Sequence, residues 1–264
     1  MIKACIFDLG GTIVDRYSLT PFLSLRKVFS DKCINVRDEL LFKDMGKSKK
    51  EHINEIISDS IVRNQWIRIN NCEPNKNDVD KLFNKFNEIQ IESSKNLITV
   101  LPETKNCIDF LKKNNIKTGT TTGFNKENME VIKDKLENSN IFIDSYVSST
   151  CLNKPSRPRP FMIHKNLENL NIRTPNEVIK VDDTIVGIEE GLNADCITVG
   201  VARWSINMGI YNLSDAFKKK DIELKSNLKK SREVLESSGA HYVINTLDEL
   251  PNLIKILNLK NNNY

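Results

Sequence analysis

The amino-acid sequence predicts an α/β protein: a doubly wound parallel sheet with a helical domain inserted near its start. Three observations carry this reading. From residue 99 onward, short apolar runs alternate with helical patterns, the spacing of a parallel sheet covered on both faces. Residues 19–97 instead show helical periodicity and almost no strand signal. The first apolar run, residues 3–7, stops at Asp8 and is broken by Gly10 and Gly11. A carboxylate is thereby placed at the carboxyl end of a buried strand, where open α/β sheets bind ligands.

The elements follow in order. Phe22, Leu25, Val28 and Phe29 share one helical face, and Ile53, Ile56, Ile57 and Ile61 share another, with Trp66 and Ile67 beyond. After the break at Glu73-Pro74-Asn75, Leu82, Phe83, Phe86 and Ile89 mark a helix over residues 79–91. Pro102 sits near a helix start, and Cys107, Ile108 and Leu111 give that helix its apolar face. A strand over 117–121, a helix from Lys126, a strand near Tyr146 and a helix near Arg159 come next, then a strand over 178–181. A short helix from Ile188, a strand over 197–201, a helix near 228–236, a strand over 241–244 and a terminal helix with Leu253, Ile254, Ile256 and Leu257 complete the chain, and residues 260–264 read as a frayed tail. The domains are therefore a core of residues 1–17 and 99–264 and an inserted helical cap of residues 18–98, closing over the site that begins at Asp8.

Composition narrows the function classes. A 264-residue chain with 39% hydrophobic and 28% charged residues is an ordinary globular protein. Its net charge of +4 is a small difference between 39 basic and 35 acidic residues. The clusters Lys218–Lys220 and Lys229–Lys230 have no interleaved aromatics and read as solvated faces, so no nucleic-acid partner is expected. No apolar run is long enough for a membrane span, and the start MIKACIFD has no long apolar stretch before the motif. The six cysteines lack a C-x-x-C pair. The chain reads as cytoplasmic and reduced.

Four strand ends carry residue types suited to phosphorus chemistry. The glycines after Asp8 let backbone N–H groups approach an anion, and Gly11 and Thr12 are candidates for binding it. Thr122 and Gly123 offer a hydroxyl and an N–H to a phosphoryl oxygen, although Thr122 could equally cap the next helix. In the loop KPSRPRP, Arg157 can neutralise phosphoryl charge with two parallel hydrogen bonds, with Lys154 as its rival. Asp182 and Asp183 end the strand over 178–181. Paired acids there are costly unless a cation lies between them, and hard oxygen ligands suit Mg²⁺; helix capping is the other reading. In the insert, Met45-Gly46-Lys47-Ser48-Lys49-Lys50-Glu51-His52 could be a solvated helix start. A helix beginning at Ser48, however, would put Lys49, His52, Ile53 and Ile56 on one face.

IFDLGGTIVD, with the hydroxyl, the cation and the paired acids in that order, resembles the haloacid dehalogenase superfamily, with its Rossmann-like core. That superfamily's phosphatases have an acid two residues after the nucleophile, where this chain has Gly10. More narrowly, M-G-x-x-K-x-x-H in the cap, T-T-G after the second core strand, R-P-x-P in the third motif and G-A-H at Gly239–His241 are similar to the phosphonatase (phosphonoacetaldehyde hydrolase) family along nearly the whole chain. The resemblance implies a Mg²⁺-dependent hydrolase acting on a small-molecule organophosphonate, with Asp8 as nucleophile and Lys49 forming a Schiff base. His52, Thr122 and Arg157 would assist, and Met45 would line the substrate site. It further implies that the metal is held by Asp8, the Gly10 carbonyl and Asp183, and that the chain is a homodimer joined through its caps, with which Phe22, Phe29 and Trp66 are compatible. Asp182 is a further metal candidate, standing in for the second acid that Gly187 replaces. Ser18 and Phe124 stand where the family usually has cysteine and tyrosine. Lys49 must be neutral to attack an aldehyde; Lys47, Lys50, Mg²⁺ and partial burial would lower its pKa. A cap-bearing phosphatase or phosphomutase and an inactive phosphate-binding protein are the competing expectations.

Overall fold

The computed structural model describes residues 1–152 and 154–261. Its six strands are β1 (Ala4–Phe7), β2 (Lys117–Thr122), β3 (Ser145–Ser148), β4 (Val178–Asp182), β5 (Ile197–Val201) and β6 (Tyr242–Ile244). They form one all-parallel sheet in the order β3-β2-β1-β4-β5-β6. The chain winds outward in both directions from β1, so the switch point lies between β1 and β4. Phe7 is level with Thr120 on one side and Val181 on the other. The next residue on all three strands therefore emerges at one place, and Asp8, Thr121 and Asp182 are brought together by register alone.

The inserted cap consists of α1 (Leu19–Ser30), α2 (Asp38–Lys43), α3 (Lys49–Ser58), α4 (Ser60–Asn70) and α5 (Lys76–Leu97). The core helices are α6 (Thr104–Lys113), α7 (Lys126–Asn138), α8 (Phe161–Asn169), α9 (Ile185–Asn193), α10 (Leu213–Lys218), α11 (Asp221–Ser237) and α12 (Leu250–Asn261). The alternation expected from sequence is present, with differences at element ends. The six-residue helices α2 and α10 are too short to show a period. A reciprocal cap between Asn75 and Asp78 starts α5 earlier than expected. Pro102 lies in the turn before α6, which Thr104 ties to the core by donating to the Ile13 carbonyl at 2.7 Å. Lys260 and Asn261 continue α12, and the remainder of the expected tail, residues 262–264, lies outside the described residues. No helix among the described residues is long and apolar enough to cross a membrane.

Two large apolar clusters organise the molecule. One lies between the sheet and helices such as α6, α7 and α12, around Phe7, Leu111, Ile132 and Ile254. The other fills the cap but is completed by Ile206, Met208 and Ile210, which follow β5. Phe22, Phe29 and Trp66 are buried in this cluster. They are internal packing, and so are not available to pair one cap with another as the sequence reading allowed. The crossing into the cap is tightly folded: Asp15, Tyr17 and Ser18 have φ of 57°, 62° and 49°, a region that side chains with a Cβ disfavour. The Tyr17 N–H donates to the Trp204 carbonyl at 2.7 Å, and the Asp15 carboxylate accepts from the Thr20 hydroxyl at 2.8 Å.

Candidate active site

The core half of the site is a closed polar network at the ends of β1, β2 and β4. Arg157 is buried and reaches three elements at once. Its Nη1 donates to Asp8 Oδ1 at 2.8 Å, its Nε to Glu190 Oε2 at 2.8 Å, and its Nη2 to the Thr121 carbonyl and hydroxyl at 2.7 and 2.6 Å. Lys180, wholly buried in β4, donates to the Thr121 hydroxyl at 2.9 Å and pairs with Asp182 Oδ2 at 2.8 Å. Asp182 Oδ1 accepts from the Thr184 N–H and hydroxyl at 2.9 and 2.7 Å. A Cβ on Gly187 would stand 1.9 Å from the Asp182 carboxyl, so this acid requires a glycine at the start of α9.

The charges in this pocket do not balance by themselves. Asp8, Asp182 and Asp183 each offer an oxygen within 4.8 Å of the others, and all three are buried. With Glu190 they face Arg157 and Lys180 as the fixed cations, an excess of negative charge that a divalent ion would cancel. Burial and the neighbouring Asp182 push the Asp8 carboxyl up to about 6, against the pull of Arg157 and Lys180. Burial, then Asp8 and Asp182, raise Asp183 well above the carboxylate range. Burial opposes ionisation of Asp182 too, but Lys180, Arg157 and Thr184 overcome it and hold the group below its ordinary value. Three clustered hard oxygens under mutual repulsion fit a cation such as Mg²⁺.

The cap half is different in kind. Ser48 caps α3, its hydroxyl accepting from the Glu51 N–H at 3.3 Å, and Lys49 is the first helical residue. Lys49 is only 4% exposed, and its one hydrogen-bond partner among the described residues is Met45 Sδ at 3.3 Å. Burial, then the Arg157 charge, lower its pKa to about 8, although Asp8 and Asp44 oppose the shift; the helix N-terminus acts in the same direction. Lys47 and Lys50 do not produce this, because Lys47 pairs with Asp44 and Lys50 with Asp80. Burial rather than crowding by like charge is the dominant cause. His52, one turn on, is fully buried with no partner for either ring nitrogen among the described residues, and burial followed by the Lys49 charge keeps it neutral.

Between the halves lies a cavity of about 30 Å³, room for a water molecule or two. Asp8, Gly10, Met45, Lys49, Thr122, Gly123 and Arg157 line it, and so do Ser18 and Phe124. A Cβ on Gly123 would lie 2.6 Å from the Lys47 carbonyl, so core and cap meet there backbone to backbone.

A haloacid dehalogenase-like hydrolase family model matches residues 2–195. The chain is 33% identical over 259 residues to the phosphonoacetaldehyde hydrolase of Parabacteroides distasonis, covering 97% of each chain. The chain belongs to the haloacid dehalogenase-like hydrolases. Among solved structures, a phosphonoacetaldehyde hydrolase-like protein from Oleispira antarctica superposes with a TM-score of 0.92 at 30% identity, over 98% of this chain and 93% of that one. A β-phosphoglucomutase from Clostridium difficile shares the fold at a TM-score of 0.65 and 21% identity, over 95% of this chain and 93% of that one. Within the hydrolases the sequence relationship is thus to the phosphonatase family, and the chain is an enzyme of that kind.

In this haloacid dehalogenase-like hydrolase the structure gathers Asp8, Gly10, Met45, Lys49, Thr122, Gly123 and Arg157 around the cavity and sets other residues named from sequence elsewhere. The Gly11 N–H donates to the Val14 and Asp15 carbonyls at 2.8 and 3.0 Å, and the Thr12 hydroxyl donates to Asp183 at 3.3 Å. Both residues buttress the acid cluster and do not line the cavity. His52 is likewise set back behind Lys49. Lys154 lies over the Phe161 ring, 4.8 Å from its centre, rather than in the site, so Arg157 is the cation of the loop. Thr121, Lys180 and Glu190 were not anticipated. The available signal was Lys180 itself, a charge in the middle of an apolar strand of a sheet covered on both faces.

Proposed function

We propose that this hydrolase cleaves the carbon–phosphorus bond of phosphonoacetaldehyde to acetaldehyde and phosphate. The observation that carries the reading is the pairing of halves: a buried amine, Lys49, shares a cavity with a strand-end carboxylate, Asp8, whose second neighbour is Gly10 instead of an acid. Breaking a carbon–phosphorus bond expels an electron pair onto carbon, which a carboxylic acid beside the nucleophile would stabilise poorly. The neutral Lys49 amine condenses with the aldehyde, releasing water and taking up one proton from solvent to form an iminium. The Asp8 carboxylate then attacks phosphorus, and the bond's electrons move into the iminium to give an enamine on Lys49. Protonation at carbon and hydrolysis free acetaldehyde and the amine; a second water hydrolyses the aspartyl phosphate. Arg157 supports the phosphoryl charge, and His52 orients the amine. Mg²⁺, held by Asp8, Asp183, the Gly10 carbonyl and Asp182, would neutralise charge shared by nucleophile and phosphoryl oxygens. The proposal includes a homodimer, expected from the resemblance alone, and a cytoplasmic location, expected from the scattered cysteines and the lack of a long apolar run.

The test is borohydride reduction of the protein mixed with phosphonoacetaldehyde, followed by peptide mass mapping. A substrate-dependent adduct on Lys49 together with phosphate release is the expected result. Hydrolysis of phosphate esters with no adduct would instead establish a phosphatase.

A further inference from the structure

The polar network behind Asp8 contains a residue that the reaction scheme does not use. Glu190, on α9, is wholly buried, and both strong contacts fall on one oxygen: Oε2 accepts from Arg157 Nε at 2.8 Å and from the Thr121 hydroxyl at 2.9 Å. The Thr121 hydroxyl has one hydrogen and two lone pairs. It gives the hydrogen to Glu190 and accepts from Arg157 Nη2 and Lys180 at 2.6 and 2.9 Å. Every N–H of the guanidinium except one on Nη1 has a partner among the described residues, and the guanidinium lines the cavity. A guanidinium is planar, so fixing Nε and Nη2 from behind fixes the direction of Nη1.

We infer that Glu190 is a positioning residue: with Thr121 it locks the plane of Arg157, so that Nη1 presents one hydrogen to Asp8 and the other to a phosphoryl oxygen. The inference rests on Arg157 being the phosphoryl contact of the proposed reaction. Without the clamp the guanidinium can turn toward Asp182, whose Oδ2 already lies 3.5 Å from Nη2. Glu190 Oε1 has no partner among the described residues. Replacing that oxygen by an amide nitrogen therefore breaks no contact, whereas shortening the side chain withdraws Oε2 from Arg157.

The experiment measures the affinity for inorganic phosphate, by calorimetry with saturating Mg²⁺, in the wild type, Glu190→Asp and Glu190→Gln. In parallel, borohydride trapping of acetaldehyde reads Lys49, which needs no phosphoryl contact. Glu190→Asp, which keeps the charge but loses the reach, is expected to weaken phosphate binding by about tenfold or more. Glu190→Gln, which keeps the reach, is expected to weaken it less, and both variants should trap acetaldehyde as the wild type does. A group that only held the fold together would lower the melting temperature and leave phosphate affinity unchanged. The proposal is overturned if Glu190→Asp binds phosphate as tightly as the wild type. It is equally overturned if Glu190→Gln is as weak as Glu190→Asp or weaker, or if the wild type does not bind phosphate. Absence of acetaldehyde trapping in all three proteins would count against the Lys49 chemistry and leave the clamp standing.

Discussion

The two sides of the cavity treat charge in opposite ways. On the core side Asp8, Arg157, Lys180, Asp182 and Glu190 are buried in mutual contact, carboxylates set against cations. On the cap side Lys49 has a thioether for company and His52 has no hydrogen-bond partner among the described residues. Burial disfavours the charged form on both sides, and only the core side sets opposite charges beside its groups to resist that. A site that needs a carboxylate nucleophile and an uncharged amine a few ångströms apart can obtain both only by dividing them between two such surroundings.

The largest effect should come from the core. Asp8→Ala removes nucleophile and metal ligand together and is expected to reduce phosphate release from any phosphorus substrate by roughly 10⁴-fold or more; retained turnover would move the nucleophile elsewhere. Lys49→Arg keeps the cation but cannot form an imine, so carbon–phosphorus cleavage should fall to background while inorganic phosphate still binds. Full activity in that variant would end the division of labour described above. Gly123→Ala puts a methyl against the Lys47 carbonyl and should lower kcat/KM by about 10- to 100-fold through incomplete closure, with the melting temperature little changed. Gly187→Ala drives a methyl into Asp182 and is expected to cost about 1–3 kcal/mol of stability, read by chemical denaturation. The mildest test is pH. An amine with a pKa of about 8 is mostly protonated below that value. The rate of borohydride-trapped adduct formation should therefore rise tenfold per unit up to about pH 8 and then level off. A rise continuing toward pH 10 would mean that Lys49 is solvated when it reacts.

What the sequence made legible follows the same division. Strand ends are set by apolar runs that stop, so Asp8, Thr122, Asp182 and Asp183 could be located before any coordinates, and the apolar face of α3 pointed Lys49 inward. Direction within a turn was not legible: the Gly11 N–H closes its own loop instead of facing an anion, because Val14 and Asp15 offer carbonyls at closer range. Nor was the network behind Arg157, since Thr121, Lys180 and Glu190 meet only through the pairing of β1 with β2 and β4 and the packing of α9 on the sheet. The aromatics of the insert were compatible with a cap-to-cap contact because a helix's period shows a face without showing what covers it.

The apolar filling of the insert is completed by Ile206, Met208 and Ile210, contributed by chain that comes more than a hundred residues later. Residues 18–98 are therefore not a transplantable module. Cut out and expressed alone, they would expose part of their own interior and should be unstable or associate. The intact chain should melt in a single cooperative transition rather than losing its lid first, because unfolding either part uncovers oily surface belonging to the other.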